Sequence, residues 1–345
     1  MKIIYSNDHR GHAGGKELID NRLVPQFEKP ARMDMILDRL RETGFGTLKE
    51  PEHFGLEPLL KVHDPGYVAF LSEAYAQWHA DKKDADDFAL PFVFGMRGLR
   101  QKPGKSIDSR LGHYCFDVGV PFVAGTWQAV RSSAGVALTG QKLVAAGERA
   151  VFALCRPPGH HAARDLAGGY CYINNAAVAA QAFRDGGAAR VAILDVDYHH
   201  GNGTQDIFYA RADVLFVSLH GDPEQEYPYF AGYADERGAG AGEGYNLNYP
   251  MPWGTAWERY GEALADGLVK IRAFGPDALV ISLGVDTFKD DPISQFKLEH
   301  EDYLRLGEMI AGLGLPTLFV MEGGYAVEAI GVNVVNTLRG FEQAA

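Results

Sequence analysis

The chain has few cysteines and no long apolar runs. Its three cysteines cannot close a disulfide framework and show no CxxC spacing, so a disulfide-stapled secreted fold is not expected. No stretch approaches the ~20 apolar residues needed to span a bilayer. The N-terminal "MKIIYSNDHRGH" has too short an apolar run for a signal peptide. We therefore expect a cytoplasmic protein that does not enter a membrane.

Basic residues are outnumbered, with 33 Lys and Arg against 45 Asp and Glu, a formal net charge of −12. This charge disfavours nucleic acid as a partner. It would suit a cationic substrate, although many cytoplasmic proteins are acidic without such a purpose. No repeat, low-complexity tract or linker divides the 345 residues. We expect a single domain spanning 1–345.

The second half of the chain alternates between strand and helix patterns. Short runs rich in Val, Ile, Leu and Phe predict buried strands at 150–155, 190–197, 213–220, 277–284 and 316–324. Helical patterns lie between them at 174–186, 255–275 and 300–314. A further strand at "KIIYS" and a helix at "ARMDMILDRLRETG" are expected to join them. The alternation predicts a three-layer α/β/α fold with a central, mainly parallel sheet.

Two segments, 80–125 and 230–246, lack this alternation and predict long loops. Long loops in a compact domain are usually functional or part of an interface. We expect the first of them to lie near the mouth of a site or at a subunit interface.

Polar side chains follow four of the predicted strands. Ligands of open α/β sheets bind at the carboxyl ends of the strands, so these side chains predict a site on one rim of the sheet. They are His160 and His161, then Asp195, Asp197 and His199, then Asp286, and finally Glu322 and Tyr325.

The run "LDVDYHHGNG" predicts a metal site. On a continuous strand Asp195, Asp197 and His199 would share one face, with the outer two ~13 Å apart. Zinc ligands stand ~2.0–2.3 Å from the ion, so all three cannot bind one ion unless the chain bends sharply. The adjacent pair Asp197 and His199 is feasible because Gly201 and Gly203 mark the end of the strand, and Asp286 is the best candidate for a third ligand. Asp195 would then accept the distal N–H of an imidazole. The alternative is a turn or helix cap without metal, which would not need adjacent histidines.

Two further motifs could carry catalysis. "PPGHH" places His160 and His161 after a rigid turn, and histidine is the natural general acid and base near neutral pH. In "MEGGY", two glycines could let the Tyr325 phenol donate a hydrogen bond to a developing oxyanion. Taken alone, the histidine pair could instead be structural, and the tyrosine could be a packing residue.

Together the motifs resemble the arginase/deacetylase superfamily of zinc amidohydrolases, which includes histone deacetylases. The matching runs are "RPPGHHA", "GGYCYINNAAVAA", "ILDVDYHHGNGTQ", "VSLHGDP", "SLGVDTFKDDPIS" and "MEGGY", in order across 150–330. The N-terminal "YSNDHRGHAGGKELIDNRLVPQFEKPAR" and segment 80–125 look most like bacterial acetylpolyamine amidohydrolases. Those enzymes deacetylate acetylated polyamines and are typically dimers whose long loop narrows the entry. The resemblance implies one Zn²⁺ per chain, a small cationic acetylated amine as substrate and a homodimer.

The resemblance also implies roles for individual residues. Zn²⁺ would bind Asp197, His199 and Asp286. His161 would act as general base and then acid, oriented by Asn202, and His160 would be an electrostatic partner bonded to Asp195. Tyr325 would polarise the acetyl carbonyl. A structural K⁺ or Na⁺ would lie near Ser218 and Leu219.

For the substrate, the resemblance implies that Tyr170 and Tyr227 wall the acyl tunnel and that Glu17 is an acidic residue at its mouth. Asp108 could supply a second carboxylate from the long loop. Either carboxylate could instead be a solvated surface group, and for Asp108 the two interpretations are equally weighted. His200 is expected to pack behind the site.

Three other functions stay open at this point. A protein acetyl-lysine deacetylase would use the same catalytic residues on another substrate. An arginase-type enzyme would need further carboxylates to bridge two manganese ions. A catalytically inactive acyl-group binder would lack a ligand or Tyr325, whereas every one of these residues is present.

Overall fold

The chain folds around a parallel β-sheet. The computed structural model describes residues 1–19, 21–81, 87–96 and 100–344, and strands and helices are counted within these ranges. The strands are β1 (Lys2–Ile4), β2 (Lys16–Ile19), β3 (Arg22–Pro25), β4 (Thr47–Lys49), β5 (Ala150–Ala153), β6 (Val191–Asp195), β7 (Val214–Gly221), β8 (Asn246–Met251), β9 (Ala278–Leu283) and β10 (Thr317–Met321). The α-helices are α1 (Ala31–Thr43), α2 (Glu57–Leu60), α3 (Pro65–Asp81), α4 (Ile107–Tyr114), α5 (Thr126–Ala145), α6 (Asn175–Asp185), α7 (Asn202–Phe208), α8 (Trp257–Phe274), α9 (His300–Ala311) and α10 (Val327–Gln343). Two short 3₁₀ helices occupy Asn7–Gly11 and Gly240–Gly242.

The main sheet has the strand order β4-β1-β5-β10-β9-β6-β7-β8, and every neighbouring pair in it is parallel. Strands β2 and β3 form a separate antiparallel hairpin. Parallel strands need crossover connections, which place helices on the faces of the sheet. This confirms the predicted mainly parallel sheet.

Two apolar cores lie on opposite faces of the sheet, because side chains alternate along each strand. One core joins residues such as Val151 and Ile193 to helices α3, α5 and α6. The other joins residues such as Phe152 and Leu194 to helices α1, α8, α9 and α10. The predicted three-layer α/β/α fold is confirmed.

Strand β6 is shorter than predicted. It pairs with β7 and β9 only as far as Asp195, so Asp197 and His199 lie in the loop that follows. The premise that these three residues share a strand face is therefore wrong. Side chains replace the sheet partners here, since Asp195 Oδ1 accepts from Asp197 N at 3.2 Å and Asp286 Oδ1 accepts from Tyr198 N at 2.7 Å.

The two predicted long loops contain some regular structure. Segment 80–125 includes the end of α3, helix α4 and an isolated bridge between Ala89 and Phe122, while 82–86 and 97–99 lie outside the described residues. Strand β8 begins at the end of the second loop, 230–246. In the described ranges no helix is long and apolar enough to cross a membrane.

Candidate active site

Four adjacent strands of the sheet, β5, β10, β9 and β6, deliver the predicted polar residues to one rim. The loop after β5 carries His160 and His161, and the loop after β10 carries Tyr325. The loop after β9 carries Asp286, and the loop after β6 carries Asp197 and His199. Because these strands are parallel neighbours, their carboxyl ends bring residues far apart in sequence into one cluster.

Asp197, His199 and Asp286 converge as predicted for a metal site. Their ligand atoms all lie within 4.8 Å of one another, and all three residues are buried. His199 Nδ1 is 3.1 Å from Asp286 Oδ2 and 3.3 Å from Asp197 Oδ1. Two carboxylates and one imidazole match the ligand types of catalytic zinc sites, which keep a further position open.

The surroundings of this cluster fit a divalent cation. Burial, reinforced by the nearby Asp197 carboxylate, raises the pKa of Asp286 to about 7, and a cation between the two carboxylates would relieve that repulsion. Glycines line the cluster closely. A Cβ at Gly284 would lie 2.0 Å from Asp197 Oδ2, and one at Gly323 would lie 2.4 Å from Asp286 Oδ2. Because Gly284 and Gly323 have no side chains, the carboxylate oxygens of Asp197 and Asp286 can occupy this space.

The two histidines of "PPGHH" have different partners. His160 Nδ1 lies 3.0 Å from Asp195 Oδ2, and His161 Nδ1 lies 2.7 Å from Asn202 Oδ1. Burial opposes a charge on His160, but the carboxylates of Asp197 and Asp195 offset it and raise the pKa of His160 to about 10.

Burial and the neighbouring imidazoles of His160 and His199 instead hold the pKa of His161 well below its ordinary value. Environments that push the pKa values of two neighbouring groups apart suit them to different acid–base tasks. The surroundings of His161 thus favour its neutral form, which can accept a proton, whereas the carboxylates beside His160 favour its charged form.

Arg32 contacts both the Tyr325 ring and the backbone that precedes it. The guanidinium of Arg32 donates to the carbonyl oxygens of Gly324 at 2.7 Å and Glu322 at 2.5 Å, and it lies 4.9 Å from the centre of the Tyr325 ring. Gly324 has φ 128°, a backbone region that favours glycine. The turn into Tyr325 therefore depends on this glycine and on a buried arginine.

A cavity of about 390 Å³ is lined in part by His161, His199 and Tyr325. Tyr170 and Tyr227 also line it, as predicted for the walls of a tunnel. Tyr227 meets His161 edge to face, with ring centres 5.0 Å apart.

Each wall tyrosine is fixed by a carboxylate. The Tyr170 hydroxyl donates to Glu17 Oε2, and the Tyr227 hydroxyl donates to Asp117 Oδ2, both at 2.6 Å. Tyr170 has a left-handed backbone, with φ 65°. Such a conformation costs energy in a non-glycine residue and persists only where the surroundings impose it.

The cavity is acidic. Glu17, Asp117 and Glu226 contribute carboxylates, and no lysine or arginine stands among the described residues that line it. Asp108, the other carboxylate considered at the mouth, lies in the first turn of α4 and is not among the lining residues of this cavity. Its proposed contact with substrate stays a prediction.

Two carboxylates near the site, Asp117 and Asp291, were not singled out by the sequence. Asp117 comes from segment 80–125, where no pattern distinguished it. Glu322, which the sequence did place on the rim, is fully buried, and its Oε2 accepts from Gly159 N at 2.6 Å and His160 N at 3.1 Å. Asp291 accepts backbone N–H groups at the Tyr325 turn. It stood within the quoted run "SLGVDTFKDDPIS", beside Asp290, and nothing in that pattern told the two carboxylates apart.

The remaining predicted residues lie at the back of the site. Ser218 and Leu219 are buried in β7, where Ser218 pairs with Asp195, and Ser218 Oγ lies 2.7 Å from His220 Nδ1. The cation near them stays a prediction. His200 is buried, with its ring centre 4.5 Å from that of His220, as expected for a residue packed behind the site.

Known proteins resemble this chain along its whole length. The family model of the histone deacetylase domain matches residues 26–341. Acetylpolyamine amidohydrolase 2 of Pseudomonas aeruginosa is 61% identical over 342 residues, covering 99% of each chain. Acetylpolyamine amidohydrolase of Mycoplana ramosa is 51% identical over 340 residues, again covering 99% of each chain. The crystal structure of acetylpolyamine aminohydrolase from Burkholderia pseudomallei has a TM-score of 0.94 at 42% identity, covering 100% of this chain and 99% of that one.

The chain therefore belongs to the histone deacetylase family and is a hydrolase of linear amide bonds. Within that family its full-length relatives include the acetylpolyamine amidohydrolases of three bacterial species. The resemblance carried by the sequence motifs is confirmed.

Proposed function

We propose that the protein is a zinc-dependent amidohydrolase that removes the acetyl group from N-acetylated polyamines or diamines, releasing acetate and the free amine. The observation that carries this proposal is the acidic cavity leading to Asp197, His199 and Asp286. A cationic amine is attracted by carboxylates on a partly desolvated wall. The full-length relatives named acetylpolyamine amidohydrolase support the same substrate class.

The residues of the rim divide the chemistry between them. Bound zinc supplies a Lewis acid and lowers the pKa of water that it binds. His161, kept neutral by its surroundings, removes a proton from the attacking water and later delivers it to the leaving amine. His160, bonded to Asp195, contributes positive charge, and the Tyr325 hydroxyl donates to the developing oxyanion.

The second candidate is a protein acetyl-lysine deacetylase, because the family model is that of the histone deacetylase domain. The two substrates differ at the far end of the chain, where an acetylated polyamine carries an ammonium and acetyl-lysine carries a peptide backbone. Glu17 and Asp117 in the cavity favour the ammonium. We therefore expect the acidic wall to select the polyamine.

The experiment is a comparison of kcat/KM on acetylputrescine, acetylcadaverine, acetylspermidine and an acetyl-lysine peptide. We expect kcat/KM on the acetylated amines to exceed that on the peptide at least tenfold, and a preference for the peptide would refute the polyamine assignment.

Tyr325→Phe should slow acetylputrescine turnover about 10²–10³-fold, the usual cost of removing one oxyanion donor. A near-normal rate would contradict the role of Tyr325 while leaving the substrate assignment intact.

Further features of the holoenzyme belong to this proposal. We expect zinc rather than iron or cobalt, and a K⁺ or Na⁺ near Ser218 and Leu219. Elemental analysis of the purified protein tests both.

We also expect a homodimer, which light scattering tests. The exposed apolar side chains of Phe92, Phe94 and Met96 in segment 80–125 support it. The reduced, buried cysteines support a cytoplasmic location, and the acidic charge argues against a nucleic-acid partner.

A further inference from the structure

Asp291 is a buried carboxylate that holds backbone rather than substrate. It is 6% exposed and is not among the described residues that line the cavity. Its Oδ2 accepts from the backbone N–H of Tyr325 at 2.7 Å and of Ala326 at 3.1 Å, and its Oδ1 accepts from Ile293 N at 3.1 Å. All three partners are donors, so both oxygens of an ionised carboxylate are matched.

The segment that Asp291 holds is also fixed upstream of Tyr325. Arg32 donates to the carbonyl oxygens of Glu322 and Gly324, and Asp197 Oδ2 accepts from Gly323 N at 2.8 Å. Gly323 and Gly324 precede Tyr325, and Gly324 adopts a glycine-favouring φ of 128°. Helix α10 begins directly afterwards, but its N-cap residue Ala326 has no side chain that could accept from the first turn. From another loop, Asp291 accepts from the N–H groups of Tyr325 and Ala326, just before the first turn, and so holds the backbone where Tyr325 leaves the glycine turn.

The loop that carries Asp291 also carries the metal-ligand residue Asp286. Within this loop the Ser294 hydroxyl donates to the Asp286 carbonyl oxygen, which ties its two ends together. A single loop therefore sets the position of one metal ligand and of the backbone under the oxyanion donor. The distance between Asp286 and the backbone of Tyr325 therefore depends on this loop as well as on the glycine turn.

We propose that Asp291 is a positioning residue that places the Tyr325 hydroxyl for oxyanion stabilisation. The inference rests on the function proposed above for Tyr325. A misplacement of ~1 Å can cost ~10²-fold in rate, and the whole donor is worth ~10²–10³-fold. Asp291→Asn keeps the shape but turns an amide N–H₂ toward one of the N–H donors. We expect it to lower kcat on acetylputrescine about 10- to 100-fold and never beyond the loss in Tyr325→Phe.

A double-mutant cycle tests the proposal, because residues acting through one group are non-additive. Asp291→Asn should lower kcat in the wild-type background and change it less than about twofold in the Tyr325→Phe background. Asp290→Asn is the matched control. It makes the same substitution one position away on an exposed side chain, and we expect unchanged kcat.

Two measurements distinguish a misplaced Tyr325 hydroxyl from a general loss of folded enzyme. Hydrogen exchange of the metal-free protein should show faster exchange in peptides covering 323–327 in Asp291→Asn and not in Asp290→Asn. A trifluoroacetyl substrate needs less oxyanion stabilisation because its carbonyl is already electrophilic. The ratio of trifluoroacetyl to acetyl turnover should therefore rise in both Asp291→Asn and Tyr325→Phe. This ratio does not depend on how much of a variant is folded.

The outcomes distinguish the inference from the proposed function. A near-normal rate in Tyr325→Phe would overturn the role of the tyrosine itself. A slow Tyr325→Phe with a normal Asp291→Asn would overturn the positioning role alone. An equal loss from Asp291→Asn in both backgrounds, an unchanged substrate ratio, or a loss explained by missing metal would also overturn it.

Discussion

The partner of His161 offers a sharp test of its proposed role as the general base. His161 Nδ1 meets the neutral Asn202 Oδ1 at 2.7 Å, near the start of helix α7. Burial and the imidazoles of His160 and His199 lower the pKa of His161. The neutral, proton-accepting form therefore persists to lower pH than in an ordinary histidine. Asn202→Asp would place a negative charge at this contact with almost no change in shape.

The size of the effect follows from the contact. Two unit charges centred about 4 Å apart interact by about 4 kcal/mol at an effective dielectric constant of 20, which corresponds to about 3 pKa units. Desolvation of the new carboxylate subtracts from this, so we expect the pKa of His161 to rise by about 2 units. The sign is fixed, because a carboxylate stabilises the protonated imidazole. The base would then be available only at higher pH.

The assay is kcat/KM on acetylputrescine between about pH 5 and pH 9, whose acid limb reports the base of the free enzyme. We expect this limb to move up by about 2 units in Asn202→Asp. Asn7→Asp adds the same charge on an exposed residue outside the lining of the catalytic cavity and should leave the limb in place. An acid limb that stays fixed in Asn202→Asp would refute the assignment of His161 as the titrating base.

Three further predictions concern the metal and the buried charges. Elemental analysis of Asp286→Ala should show loss of the zinc found in the wild type. The melting temperature of this variant should also lie below that of chelator-treated wild type, because the substitution removes the hydrogen bond to Tyr198 N as well. Gly323→Ala should weaken zinc binding at least tenfold, since its Cβ would meet a ligand oxygen, whereas Gly55→Ala, with open space around it, should not. Burial opposes the charge on Glu28, but Arg156 and Arg32 lower its pKa to about 2. Glu28→Gln should therefore cost about 3–5 kcal/mol in urea denaturation near pH 7, a difference that shrinks as pH falls from 4.5 toward 2.

The part of the fold that the sequence predicted is the part governed by periodicity. The strands buried on both faces read as continuous apolar runs, and β5, β6, β7, β9 and β10 all formed within the predicted ranges except for one residue of β7. The ends of strands were less predictable. The apolar pattern of β6 continues through Val196, but its pairing with β7 and β9 ends at Asp195. Val196 N still donates to Ser282 O, and beyond it the carboxylate of Asp286, 88 residues away, accepts from Tyr198 N. Local pattern does not report such long-range contacts.

The same limit applies to the site. The metal-ligand candidates were found because each lies just beyond an apolar run, so the position in the sheet followed from the pattern. Asp117 and Asp291 lie in irregular loops, and their partners are 110 and 34 residues away in the sequence. Only the path of the loops brings them to the rim, and that path depends on tertiary packing.

Buried carboxylates also explain how the rim keeps its shape beyond the ends of the strands, where sheet hydrogen bonds stop. Each cross-links two loops by accepting a backbone N–H. Asp197 accepts from Gly323, Asp286 from Tyr198, Glu322 from Gly159 and Asp291 from Tyr325. Every loop of the four-strand rim is joined to a neighbour in this way. The carboxylates of Asp197 and Asp286 thus serve twice, once as candidate metal ligands and once as cross-links between loops.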